Sequence, residues 1–389
     1  MAGDAVTIAA AELRDRLAGL DGIGIREDGV WRMAWTEELA AAEAWFREQA
    51  AAAGLRVARD PAGSLWALPG GDGPWWATGS HLDSVRAGGR FDGPLGVAAG
   101  FAVAERVPGV AVLAFADEEG ARFNTPTFGS RALVGRLDVA DAGARRADDG
   151  VALGEAMRDF GADPDGLAGA PSWLARLRGF VELHIDQTRD LERLGAPAGA
   201  VTGLASRLRL ALELRGRADH AGTTRRHERA DALAAAARLI VAADELAGDD
   251  PDFLVTASRI LVEPNAFTTV PAHVRLWIDA RTPDPARLDA WRAALAERAA
   301  AAAVGVELAV ASQSEGVAFD PAVRAALGEL PELVCYAGHD AGILAERIPA
   351  GMVFVRNATG ISHSPDEHVE LEDAAVAASA LLRALEALT

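Results

Sequence analysis

Four short, largely apolar runs stand out along the chain: residues 75–80 (WWATGS), 110–116 (VAVLAFA), 180–187 (FVELHIDQ) and 351–357 (GMVFVRN). Each is too short for a core helix and is bounded by glycine or polar residues, which predicts four buried strands. Segment 93–107 (GPLGVAAGFAVAERV) reads as a helix packed on that sheet. Strands alternating with helices predict an α/β layer architecture, with helices on both faces of a mixed sheet. The first twenty residues lack the unbroken apolar stretch of a signal peptide and predict an amphipathic helix.

Residues 207–314 follow another rhythm. RLRLALELRG alternates with period two, as a half-exposed strand does. Helical patterns at 228–248 and 285–303, and strand patterns at 252–264, 273–281 and 306–314, complete a βαββαβ order. That order is a compact two-layer α+β module. A discontinuous domain, 1–206 with 315–389, is therefore expected to be interrupted by a smaller one at 207–314.

Composition narrows the partners. With 38 basic and 57 acidic residues the formal net charge is −19, which argues against nucleic acid, whose binding needs a basic patch. No apolar run is long enough to span a bilayer. The single cysteine, Cys335, excludes an intrachain disulfide and a thiolate zinc cluster. Any metal ligands must then be histidine and carboxylate. These features suit a cytoplasmic enzyme.

The predicted strand ends carry the chemistry. His81, Asp83 and Asp92 lie in GSHLDSVRAGGRFDG, Glu118 and Glu119 in ADEEG, His184 on the third strand and His363 in the loop after the fourth. Two neighbouring divalent ions need about four terminal protein ligands and one bridging carboxylate. His81, His184 and His363 can supply imidazoles, Glu119 a carboxylate and Asp92 the bridge. Asp83, two residues from His81, can accept the second ring proton and fix its tautomer. Adjacent glutamates at a strand end point in different directions. One can bind metal while the other takes a proton from water and returns it to a leaving nitrogen. Any one of these residues alone is more often a packed or solvated side chain; the combination is what points to a metallohydrolase.

Longer motifs carry a resemblance. GSHLDSVRAGGRFDGPLG, ADEEGARFNTPTFGSRALVG, VELHIDQ, GRADHAGTT, AGHDA and GISHSPDEH run in order from about residue 79 to 368. Together they resemble the hydantoinase/carbamoylase amidases, within the superfamily of dinuclear zinc aminoacylases and carboxypeptidases. The resemblance implies hydrolysis of N-carbamoyl amino acids, allantoate or related ureido acids. It implies one ion on His81 and His184, the other on Glu119 and His363, with Asp92 between them and Glu118 as general base and then acid. The ions would be zinc, although such a donor set also takes Mn, Co or Ni. His220 would polarise the substrate carbonyl across the subunit boundary of a homodimer. Arg281 would grip the substrate carboxylate bidentately, and Gln187 would hydrogen-bond the substrate.

Three stretches depart from the family pattern. Thr268-Thr269-Val270-Pro271 stands where Asn-Val-Ile-Pro is usual, Asp186-Gln187-Thr188 where Glu-Gln-Gly is usual, and Arg225-Arg226 where proline and methionine follow HAGTT. Ligand and base positions are intact, so these departures bear on substrate identity. Thr188 and Thr268 could reshape the pocket for an unusual acid. Allantoate amidohydrolase, β-ureidopropionase and a peptide-cleaving relative are the near alternatives. A silent binding protein of the same fold would have lost a ligand or the base. His339 and Asp340 match AGHDA without an assigned role, helix capping being the simplest. Cys335, His227, His273 and His368 have no motif context.

Overall fold

The computed structural model describes residues 7–389. The chain divides into two compact units: residues up to Gly203 together with Ala318–Thr389, and Leu204–Val317. The larger unit is built on a nine-stranded sheet. At its centre four parallel strands run in the order Ala350–Val355, Leu177–Ile185, Trp75–His81 and Val110–Phe115. Almost all of their residues are buried. A parallel strand covered on both faces has no solvent side, which is why each reads as a continuous apolar run. Antiparallel strands extend the sheet, Ala198–Leu204 beside Ala350–Val355 and Leu65–Leu68 beside Val110–Phe115, so the sheet is mixed.

The expected helix after the first strand runs Pro94–Ala104 and is buried along its length up to Val103. Pro94 at its first position costs no hydrogen bond, because that N–H has no intrahelical partner anyway. Helices Glu37–Ala52 and Leu371–Leu388 share a core with it, through Trp45, Phe46, Phe101, Leu381 and Leu385. Of the predicted N-terminal helix, Ala10–Ala18 forms and buries Leu13 and Leu17. Residues 1–6 of that prediction lie outside the described residues. Among the described residues no helix is long and apolar enough to cross a membrane.

The smaller unit has the four strands and two helices of the βαββαβ pattern. Its antiparallel sheet runs Leu254–Glu263, His273–Thr282, Ser206–Arg215, Gly305–Ser314. Leu208, Leu210, Leu212 and Leu214 all face one side and pack under the helices Ala232–Ala247 and Pro285–Ala300. Asp231 and Asp284 cap those helices by accepting the amides of Ala234 and Ala286, a role worth about 1 kcal/mol each. The two edge strands are mostly exposed.

Candidate metal centre and active site

The four parallel strands deliver their candidate ligands at one edge of the sheet. His81 is the last residue of its strand, His184 the penultimate residue of another, and Asp117, Glu118 and Glu119 follow Phe115 closely. The carboxyl ends of strands in an open α/β sheet are where ligands bind. His363 comes from the loop after Ala350–Val355. Asp92 comes from a glycine-rich turn that folds back over His81. At Gly93 the backbone has φ +82°, and a β-carbon would lie 2.6 Å from the His81 ring. Only glycine lets this turn close.

Asp92 is the centre of the cluster. Its Oδ1 lies 3.2 Å from His81 Nε2 and 3.0 Å from His184 Nε2. Its Oδ2 lies 3.9 Å from His363 Nε2, and His363 Nε2 lies 3.4 Å from Glu119 Oε2. Glu118 Oε2 is 3.9 Å from His81 Nε2. Two ligand triads therefore share Asp92: with His81 and His184, and with Glu119 and His363. His81 also groups with Glu118 and Glu119, and a fourth triad, Glu182 with His184 and His339, was not anticipated. Both oxygens of Glu182 already accept hydrogen bonds, from Ser80 Oγ and the Ala341 amide, so that triad is less suited to an ion.

The donors fit divalent cations. His81 Nδ1 faces the Asp83 carbonyl at 3.0 Å, and His184 Nδ1 faces the Ile185 carbonyl at 3.0 Å. Those contacts assign the ring protons to Nδ1. Both Nε2 atoms then face Asp92 Oδ1, an arrangement that suits a cation held between them. His81 Nε2 and Asp92 Oδ2 are buried without a hydrogen-bond partner, as expected of atoms reserved for metal.

Charge is concentrated here. Burial would push His81 and His184 down, but Asp92, joined by Glu118 and Asp83 at His81 and by Glu182 at His184, outweighs it and raises both. Burial would push Asp92 up, but the two histidines hold it well below the usual carboxylate range. Glu118 is pushed well above that range by burial, against the pull of His81 and with Asp340 and Glu119 adding. A proton-hungry carboxylate beside candidate ligands suits acid–base work. The backbone is strained in the same region: Asp117, Asn124, Thr127 and His363 all have φ near +50°, and such strain gathers at functional sites.

Asp83 works differently from expectation. Its carboxylate stands 3.7 Å from His81 Nδ1, farther than its own carbonyl. The carboxylate instead accepts the backbone amides of Glu118 and Glu119 at 3.2 and 3.0 Å. It thereby orients the glutamate pair, while the carbonyl fixes the histidine tautomer. His339 and Asp340 lie in the same buried region. The His339 ring packs 4.3 Å from His184, and Asp340 accepts the Ser130 hydroxyl at 2.5 Å. Sequence reasoning missed Glu182, although VELHIDQ carries a signal. Glu182, His184 and Asp186 alternate with Val181, Leu183 and Ile185, and polar residues on one face of a buried strand need a reason.

Gln187 follows at a half-buried position. The Thr188 hydroxyl donates to Asp186 at 2.7 Å, which ties it into a turn and leaves it little scope to reshape a pocket. In the smaller unit, His220 pairs with Thr269 in a two-residue ladder, and the Ala221 amide donates to the Thr268 carbonyl. His220 Nδ1 accepts the amides of Gly222 and Thr223 at 3.0 and 3.2 Å, so in the neutral ring the proton sits on Nε2. Arg281 donates through Nε to Asp279 at 2.7 Å. Burial pushes Asp279 up, but Arg281 and Arg209 outweigh it and hold the carboxyl below the usual range. Arg207 sits opposite Arg281 in the sheet register, a second guanidinium that the sequence reading did not single out.

The chain is similar over most of its length to known proteins. The profile of peptidase family M20/M25/M40 matches residues 76–387. The N-carbamoyl-L-amino acid amidohydrolase of Geobacillus stearothermophilus is 38% identical, over 95% of this chain and 96% of that protein. The allantoate amidohydrolase of Bacillus subtilis is 31% identical, over 91% and 92%. The crystal structure of a hydantoinase/carbamoylase family amidase from Burkholderia multivorans superposes with TM-score 0.88 at 30% identity, covering 99% of this chain and 98% of that one.

Proposed function

The chain belongs to the hydantoinase/carbamoylase amidases of the M20/M25/M40 peptidase family, and we propose that it hydrolyses the C–N bond of an N-carbamoyl amino acid or a closely related ureido acid. It is a metal-dependent hydrolase. The carrying observation is the pair of imidazole Nε2 atoms converging on Asp92 Oδ1, with Oδ2 turned to a third histidine. In this reading His81 and His184 would hold one ion and Glu119 and His363 the other, with Asp92 common to both groups of residues. When bound, the ions supply Lewis acidity at the scissile carbonyl and lower the pKa of water. Zinc fits these donors, and so do Mn, Co and Ni.

The protein's own groups do the rest. Glu118 takes the proton of the attacking water, whose oxygen bonds the carbonyl carbon. As the C–N bond breaks, Glu118 returns the proton to the leaving nitrogen. Asp83 holds the backbone from which Glu118 projects. His220, with its Nε2–H as donor, stabilises the developing oxyanion. Arg281, oriented by Asp279, grips the substrate carboxylate, and Gln187 hydrogen-bonds the substrate.

A homodimer belongs to the same reading. The edge strands Leu254–Glu263 and Gly305–Ser314 offer unpaired backbone to a second copy, and the Phe267 ring is fully exposed beside Thr268. His220 would then serve the site of the partner subunit. A cytoplasmic location is proposed from the acidic composition and the single cysteine. The test is ammonia release from a panel of N-carbamoyl amino acids, allantoate and β-ureidopropionate, before and after chelation. Turnover of at least one panel member, abolished by chelation, is expected. No turnover by the metal-loaded protein would overturn the reading.

A further inference from the structure

In a chain of net charge −19, one hollow of the larger unit is lined by three guanidinium groups. It encloses about 460 Å³ and is bounded by Arg86, Arg122, Arg146, Asn124, Asp148 and His363. Small-ligand sites are of order 300–1,000 Å³. Four chain segments build it. Arg86 follows the turn after Asp83, Arg122 comes three residues after Glu119, and Arg146 projects from a loop braced by its own bridge to Ala152. His363 forms one wall. Its side chain is 52% exposed, and its Nε2 stands 3.4 Å from Glu119. The hollow thus shares His363 with the candidate metal centre.

Its charge is only partly compensated. Arg86 pairs with Asp148 at 2.6 Å, but the Asp148 side chain is 83% exposed, and an exposed pair of this kind is weak. Arg122 donates to the Ala34 and Trp35 carbonyls and has Asp149 at 3.6 Å, so its head is held in place. Arg146 donates to the Gly150 carbonyl at 2.8 Å. Among the described residues no carboxylate lies within ion-pair distance of it. A planar guanidinium fork recognises a carboxylate at two points. Arg281, assigned above to the substrate carboxylate, lies in the other unit and is not part of this hollow.

We infer that the hollow is a second anion subsite, and that the substrate is a dicarboxylic N-carbamoyl or ureido acid whose additional carboxylate binds Arg86 and Arg146. This rests on the amidohydrolase reading for the identity of the substrate's reacting end.

The test separates binding from turnover. Metal-loaded protein carrying Glu118→Gln is titrated calorimetrically with N-carbamoyl-L-aspartate and with N-carbamoylglycine. The diacid is expected to bind at least about tenfold more tightly. Adding Arg86→Gln and Arg146→Gln should remove that preference while shifting N-carbamoylglycine affinity less than about twofold. Arg146→Gln alone, at an exposed position, is the second variant should the combined one melt early. Equal affinity for the two compounds, no binding of the diacid, or a preference that survives both substitutions overturns the inference. Ammonia release by the protein with Glu118 intact tests the reaction separately. Hydrolysis of N-carbamoylglycine without diacid preference leaves the amidohydrolase reading standing and removes the subsite. Diacid preference in binding with hydrolysis of neither compound does the reverse.

Discussion

Asp83 Oδ2 accepts the backbone amide of Glu119 at 3.0 Å, from a carboxylate that is almost fully buried. This bond ties the loop after His81 to the loop after Phe115, so ligands from two strands share one frame. In Asp83→Asn the new NH₂ group must face one of two amide donors and leave it unsatisfied. A loss of about 1–3 kcal/mol is expected, with retained metal and a reduced kcat. An unchanged melting temperature and kcat would show that the carboxylate orients nothing.

Glu118→Gln and Glu119→Gln should separate two roles. The first is expected to keep both ions and lose at least about a hundredfold in rate. The second is expected to lower metal content to near one ion per chain. Elemental analysis beside kinetics reads both, and the reverse pattern would reassign the pair.

Asp92→Ala removes the oxygens that face three histidines, and both ions should be lost on dialysis. Gly93→Ala should approach the same phenotype by another route, because a β-carbon at 2.6 Å from the His81 ring forces the turn or the imidazole to move. Normal metal content in Gly93→Ala would mean that the turn tolerates the added carbon.

The dimer is checked by complementation. His220→Ala and Asp92→Ala, each inactive alone, should regain part of the activity after subunit exchange. Verified mixed dimers without recovery would place His220 outside the partner's chemistry.

Arg281→Lys is expected to raise KM sharply with little change in kcat, since one ammonium cannot reproduce a planar two-point contact. The same substitution frees Asp279 of one partner, so a thermal melt should accompany it. An unchanged KM would remove Arg281 as the carboxylate grip.

Much of this was legible in the sequence because the site grows from elements with strong local signals. The four central strands are buried on both faces and show as apolar runs, and their ends carry His81, His184 and Glu119. The helices Glu37–Ala52 and Leu371–Leu388 were not anticipated. Their alanine-rich turns present weak contrast between faces, and only tertiary packing decides which side is inside. The role of the Asp83 carboxylate was also out of reach. Its partners are backbone amides 35 and 36 residues away, and spacing along a chain does not reveal which of two acceptors on one residue meets a ring.

The strand Ala350–Val355 lies between Leu177–Ile185 and Ala198–Leu204 in the sheet. As the chain leaves the ribosome, its neighbours on both sides are made long before it. All four main strands of Leu204–Val317 arrive in between, so that unit has what it needs to fold while the larger sheet still has a gap beside His184. Two unpaired strand edges stay open for that interval, a vulnerability to mispairing and aggregation. The strand ends that gather the metal ligands are therefore completed late in synthesis, and a chain stopped between Val317 and Ala350 holds every main strand of the smaller unit beside an unfinished larger sheet.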